Sequence, residues 1–213
     1  TTPEHSAFGF TIPGACRVVI GHHRHAAFGV TNAPRDTRDW YHITWQDERK
    51  QAYRYAGEWL PVEVRAEEFA VRDEAPFRDT IRITIHGPVM YDEQFGDVPE
   101  KAQLALRWMG HEPSLTQKAL YLMNRVKGHA DYVEALRYFS APAQNWVFAS
   151  VSGDIAMRVQ GTFPNKWKDQ GRFVLDGSLP AHRWQGYIPF EHTATQVNPG
   201  RGFVSSANQH SVD

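Results

Sequence analysis

Four groups of residues in this 213-residue sequence have types and spacings that chemistry could use. His22, His23 and His25 crowd three imidazoles together and invite a zinc reading. On a strand, however, His23 and His25 share a face while His22 points the other way, and no carboxylate or cysteine stands at close ligand spacing. Structural or exposed histidines are the default. Cys16, the single cysteine, could be a nucleophile with one of these imidazoles as base. It sits in Pro13-Gly14-Ala15-Cys16-Arg17, a turn entering a strand, where an inert buried thiol is the commoner outcome. Asp36 and Asp39, in Pro34-Arg35-Asp36-Thr37-Arg38-Asp39, could offer oxygens to a hard cation. On spacing alone, a solvated acidic turn paired with Arg35 or Arg38 is the commoner arrangement. Asn32 and Asn208 lie far apart, each at or near an expected strand end; a backbone N–H and a side-chain amide can together hold an oxyanion.

The elements that must position these groups are mostly strands. Val18 to Ile20, Ala26 to Thr31 and Trp40 to Trp45 are short apolar, aromatic or β-branched runs. Glu63 to Val71 alternates weakly. Thr80 to Ile85 alternates cleanly, with Ile81, Ile83 and Ile85 on one face, and His86-Gly87-Pro88 ends or bends it. A polar stretch from Met90 to Glu100 reads as a loop, and Leu104, Leu106 and Trp108 alternate again. Ser114-Leu115-Thr116-Gln117 has a capping-box pattern and predicts a helix from about Leu115 to Val126, broken by Gly128. A second helix is predicted over Ala130 to Phe139, with Tyr132, Leu136 and Phe139 along one stripe. Asn145 to Val151 and Ile155 to Val159 flank Ser152-Gly153-Asp154 as a hairpin. Phe163 to Arg183 reads as a long loop and Phe203 to Ser206 as a last short strand. Strands, then two helices, then strands indicate an α+β class rather than alternating α/β.

Composition excludes several functions. Lys and Arg number 23 against 24 Asp and Glu, a net charge of −1, and no basic patch stands out, which argues against a nucleic-acid partner. No apolar run approaches the ~18 residues of a transmembrane helix. Hydrophobic content of 41% is enough to bury a core. Seven Trp and eight Tyr also permit a non-catalytic β-rich module that binds a sugar or peptide.

Several stretches taken together resemble the penicillin acylase family of N-terminal-nucleophile amidohydrolases. The segment from Ile12-Pro13-Gly14 to Val18-Val19-Ile20-Gly21-His22-His23 is similar to the family's Pro-Gly, short strand and Gly-His-Asn pattern. Phe28-Gly29-Val30-Thr31-Asn32 followed by Asp36-Thr37-Arg38-Asp39-Trp40-Tyr41 resembles its strand and acidic calcium loop. Ala141-Pro142-Ala143-Gln144-Asn145-Trp146 with Gly153-Asp154-Ile155, then Trp184-Gln185-Gly186-Tyr187 and Asn198-Pro199 through Ala207-Asn208-Gln209, resemble later segments in the same order. His23 replaces a usual Asn, Phe28 a Trp, and Gln209 the second Asn of a pair.

The resemblance implies part of a four-layer αββα sandwich, with residues 1–213 as a single partial domain from inside a catalytic β-subunit. It implies hydrolysis of an N-acyl amide through an acyl-enzyme on an N-terminal Ser that self-cleavage of a precursor exposes; that Ser is not in this sequence. Thr1 is a poor substitute, since Thr2-Pro3-Glu4-His5 is polar and Pro3 removes a ladder donor. By the same resemblance Asn32 gives a backbone N–H, and Asn208 a side-chain amide, to an oxyanion hole. Ile20, Val30, Leu120 and Gln144 fall near acyl-pocket positions. Asp36, Asp39 and the carbonyl of Arg38 fall on ligand positions for a structural Ca²⁺, with the Gly171 carbonyl as a further donor. The implied partners are a small N-acyl amide substrate, an α-subunit and the remainder of the β-subunit. The implied location is the periplasm or the cell exterior.

Overall fold

The computed structural model describes residues 6–15, 17–91 and 103–210. Its strands in chain order are β1 (Ala7–Phe10), β2 (Ile20–His23), β3 (Ala26–Asn32), β4 (Arg38–His42), β5 (Ala52–Tyr55), β6 (Glu58–Pro61), β7 (Glu63–Phe69), β8 (Phe77–Thr84), β9 (Gly87–Tyr91) and β10 (Leu104–Trp108), then β11 (Gln144–Ser150), β12 (Ile155–Gln160), β13 (Leu175–Asp176) and β14 (Thr195–Val197). Helices α1 (Thr116–Met123) and α2 (His129–Leu136) lie between β10 and β11. The class is α+β, β-rich with a central pair of helices. The chain divides into two compact units: residues 1–37, 112–164 and 186–213 in one, 38–111 and 165–185 in the other.

The first unit is built on an antiparallel sheet of order β1-β2-β3-β11-β12-β14. Two glycines let its edge pair close: Gly9 stands opposite Gly21, and a Cβ on Gly21 would meet the Phe8 carbonyl oxygen at 2.2 Å. Period-two alternation gives the sheet two different faces. Ala26 and Phe28 of β3 and Trp146 and Phe148 of β11 form a core with Ala119, Leu120 and Met123 of α1 and Tyr132, Ala135 and Leu136 of α2. The Tyr132 ring stacks on Phe148 at 4.6 Å and its hydroxyl donates to the Trp146 carbonyl at 2.9 Å. By register, the opposite face carries Thr31, Asn145, Val147, Met157 and Val159.

Both helices are shorter than the sequence predicts. The capping box does not form: Ser114 Oγ donates to Thr116 Oγ1 at 3.2 Å, and α1 starts without a side-chain cap. Buried Asn124, just past the end of α1, ties the helix to the segment before β2. Its Nδ2 donates to the Val18 carbonyl at 2.8 Å while its Oδ1 accepts from Val18 N–H at 3.2 Å. Residues 203–206 are coil, and the last strand is the exposed β14.

The second unit carries a sheet of order β13-β4-β10-β9-β8-β7 and the separate hairpin β5-β6. Its core gathers Tyr41, Ile43, Tyr53, Val89, Ala105 and Leu175. The β5-β6 turn places Ala56 (φ 51°) and Gly57 (φ 85°) in the left-handed region, as a tight hairpin requires. Met90 and Tyr91, expected in a loop, belong to β9, which returns from the bend at His86-Gly87; residues 92–100 of that expected loop lie outside the described residues.

Candidate active site

In the first unit, the end of β3 and the segment 205–209 meet. Ala33 N–H donates to the Ala143 carbonyl, and Gln144 pairs with Asn32 in the β3/β11 register. Because ladder bonds alternate in an antiparallel pair, Asn32 N–H then faces away from β11. On that other side the last β2 residue paired is Gly21, opposite Phe28, so the strand partner stops short of Asn32.

Asn208 sits at a left-handed turn, φ 63°, a conformation that Asn tolerates better than most residues. Gln209 shapes that turn. Its Oε1 accepts from Ala207 N–H at 2.6 Å, and its Nε2 donates to the Ser205 carbonyl at 3.4 Å. Two contacts bind the turn to β3. Thr31 Oγ1 and Ser206 Oγ lie 2.5 Å apart. Asn145, fully buried, directs Nδ2 to the carbonyl oxygens of Asn32 at 3.2 Å and Gln209 at 3.5 Å. Thus Asn32 and the residue next to Asn208 share one amide group.

A cleft of about 410 Å³ opens beside this junction, lined by Met157, Val159, Arg201, Ser205, Gln209 and His210 among others. Met157 and Val159 lie on the Asn145 face of the sheet, so this cleft is on the side away from the helices. Gln144 is buried and donates Nε2 to Asn32 Oδ1 at 3.0 Å, beside the junction. The remaining three residues near acyl-pocket positions separate. Ile20 is 41% exposed and lies 3.6 Å from where a Gly29 Cβ would stand, on the Thr31 face. Val30 and Leu120 pack in the helix-side core, Leu120 with only 5% of its surface exposed.

The acidic loop is divided: Asp36 belongs to the first unit, and Arg38, Asp39 and Gly171 to the second. Asp36 and Arg38 are exposed, and Gly171 has a left-handed φ of 88°. Asp39 is buried; its Oδ2 forms an ion pair with Lys166 Nζ at 2.9 Å and accepts a hydrogen bond from Trp184 Nε1 at 2.5 Å. This donor set does not fit a calcium ion, which needs oxygens not already held by a cation. A divalent ion about 4 Å from that ammonium would meet a repulsion of about 8 kcal/mol at an effective dielectric constant of 20, twice the value for two unit charges. Among the described residues no cluster of three or more His, Cys, Asp or Glu side chains could hold a metal ion. His23 and His25 form an edge-on ring pair at 6.1 Å, with His25 N–H donating to His23 Nδ1 at 3.2 Å. Cys16 and Thr1 lie outside the described residues.

Sequence reading missed three residues of the junction: Thr31, Asn145 and, as a turn-former, Gln209. A signal existed for Asn145, a polar residue at the start of the apolar run Trp146-Val147-Phe148-Ala149. Its long-range partners carried none.

The fold defines a β-rich α+β protein with a central pair of helices. The profile of the penicillin amidase family matches residues 1–213, and the chain belongs to that family. It is 28% identical to the acyl-homoserine lactone acylase QuiP of Pseudomonas fluorescens over 99% of its own length and 26% of that protein. It is 30% identical to the penicillin acylase 2 proenzyme of a Pseudomonas species, over 96% of this chain and 26% of the relative. The chain therefore spans about a quarter of these relatives. Among solved structures, a thermostable penicillin G acylase from Alcaligenes faecalis superposes with a TM-score of 0.83 at 22% identity, over 98% of this chain and 37% of that one. No helix among the described residues is long and apolar enough to cross a membrane.

Proposed function

We propose that this chain is part of an acylase that hydrolyses a linear N-acyl amide, and that it supplies two oxyanion donors, the backbone N–H of Asn32 and the side-chain amide of Asn208. The observation that carries the reading is the Asn145 amide, which reaches the carbonyl oxygens of both Asn32 and Gln209. Donors fixed before reaction cost no reorganisation when negative charge develops on the scissile oxygen. In this reading Gln144 and Asn145 are positioning residues, and neither touches the substrate. The nucleophile is a hydroxyl outside this chain, activated by its own α-amine, which titrates near ~8 and is partly neutral at physiological pH. The chain's part is to stabilise the tetrahedral intermediate that the attack creates.

Ile20 and the face it shares with Thr31 form the side along which an acyl chain would lie; Val30 and Leu120 support that wall from behind. The names of the relatives suggest two substrate types, N-acyl-homoserine lactones and penicillins, which share a secondary amide bearing an apolar acyl group. The test is amine release by the full-length protein from an N-acyl-homoserine lactone and from penicillin G. Release from one or both, lost in the Asn208→Ala variant, is the expected result. An Asn208→Ala protein as active as the wild type would overturn the assignment.

A further inference from the structure

We propose that Lys166 is the resident cation of Asp39 and stands where the family resemblance sets a calcium ion, so that the charge of this carboxylate is compensated without metal. The observations all lie within the second unit. Asp39 has no exposed side-chain surface, Lys166 only 10%, and they meet at 2.9 Å. Trp184 donates to the same carboxylate oxygen. Arg107 stands directly opposite Asp39 in the β4/β10 ladder and lies 5.2 Å from the Trp184 ring, which Lys166 Nζ also approaches at 5.6 Å. A buried carboxylate thus faces two cations carried by the chain itself.

The placement of these residues shows what the pair does. Lys166 lies at the start of the segment 165–185 and Trp184 near its end, so one oxygen on β4 gathers both ends of a long loop. Between them, the His182 carbonyl accepts from Tyr41 Oη at 2.9 Å and Gln170 Nε2 at 2.8 Å, and β13 pairs with β4 at Leu175 and Tyr41. A metal would tie such a loop by collecting oxygens. An ammonium on the chain ties it by charge attraction to the carboxylate and cannot be removed by a chelator.

The experiment uses the full-length protein and its Lys166→Met, Asp39→Asn and double variants. Calcium content is measured by elemental analysis in the wild type and in Asp39→Asn, and Tm is recorded for all four. Equal calcium content in those two proteins is expected; one equivalent present in the wild type and absent from Asp39→Asn would overturn the proposal. Lys166→Met should lose several degrees in Tm, because it leaves a buried carboxylate without its cation, and the double variant should recover part of that loss. A Lys166→Met protein that melts with the wild type, or a double variant that melts lower than Lys166→Met, would also overturn it.

Discussion

Asn145, wholly buried on β11, donates its side-chain amide to the carbonyl oxygen of Asn32 at 3.2 Å. The same nitrogen lies 3.5 Å from the Gln209 carbonyl, so the end of a central strand and a left-handed turn more than 170 residues later are held by one side chain. The arrangement separates two jobs. Under the proposed function, Asn32 and Asn208 would offer donors, while Asn145 fixes the backbone that aims them.

Removing a donor should act on the chemical step. If Asn208 is the proposed oxyanion donor, Asn208→Ala in the full-length protein is expected to lower kcat by about 100-fold or more, with KM changed little, because such a donor binds the transition state more strongly than the ground state. Steady-state kinetics on whichever amide the wild type cleaves provide the check.

Removing the positioner should act on both stability and rate. Asn145→Ala deprives two carbonyl oxygens of a buried donor, a loss of about 1–3 kcal/mol each way such a group is stranded. The expected pattern is a lower Tm together with a fall in kcat smaller than that of Asn208→Ala. Asn145→Asp, isosteric but without the N–H donors, should share the kinetic defect. If Asn145→Asp kept full turnover, the amide would have no part in aiming the site.

The strands that position this site were legible as apolar runs. β3, β11 and β12 present apolar or continuously buried runs, and the structure buries them. The alternation in β8 and β10 misled about burial: Thr84 and Ala105 are buried, whereas Ile81, Ile83, Leu104 and Leu106 are half-buried and Trp108 is exposed. The hairpin β5-β6 escaped notice although Tyr55-Ala56-Gly57-Glu58 carries a turn, since Ala at a left-handed φ is not a common turn signal. β14 is three exposed residues and has no hydrophobic pattern to read. The capping box failed because α1 starts one residue late, with Leu115 at the N-cap and the Ser114 hydroxyl turned to Thr116 Oγ1, which itself serves Ser140 N–H and the Ala141 carbonyl. Asn32 and Asn208 were reached through family resemblance; Lys166, in a loop without period, was reached by neither route.

Leu120 and Ile20 allow the pocket reading to be split from the core reading. Leu120 packs among α1, α2 and the sheet with 5% exposure, so Leu120→Ala should cost about 2–5 kcal/mol of stability and leave the preference among acyl-chain lengths unaltered. Ile20→Ala, on the exposed face, should cost little stability and shift the preference between short and long acyl chains by up to about 3 kcal/mol in kcat/KM. Thermal melts and a series of acyl-chain lengths give both answers. A change in selectivity in Leu120→Ala would reverse the assignment.

His86 should set the acid limit of the second unit. It is buried, stacks on Tyr41 at 4.0 Å, and shares its Nε2 proton with the Gly177 carbonyl at 2.8 Å. Burial lowers its pKa to about 4, the nearby Arg183, Arg107 and His182 pushing the same way against the Gly177 bond. The unfolded chain takes up the proton at the ordinary value near 6.5, while the native state resists it until about 4. Between those values the unfolded state binds more protons, so stability falls as pH falls, by on the order of 3 kcal/mol across the window, and the group has no effect above it. Denaturant titrations of the full-length protein at steps from pH 7 to pH 4 should show this slope. His86→Phe retains an aromatic stack on Tyr41 but has nothing to titrate; it should start less stable, with the Gly177 carbonyl unpaired, and lose less on acidification. A His86→Phe protein with the wild-type pH slope would move the acid sensitivity to another group.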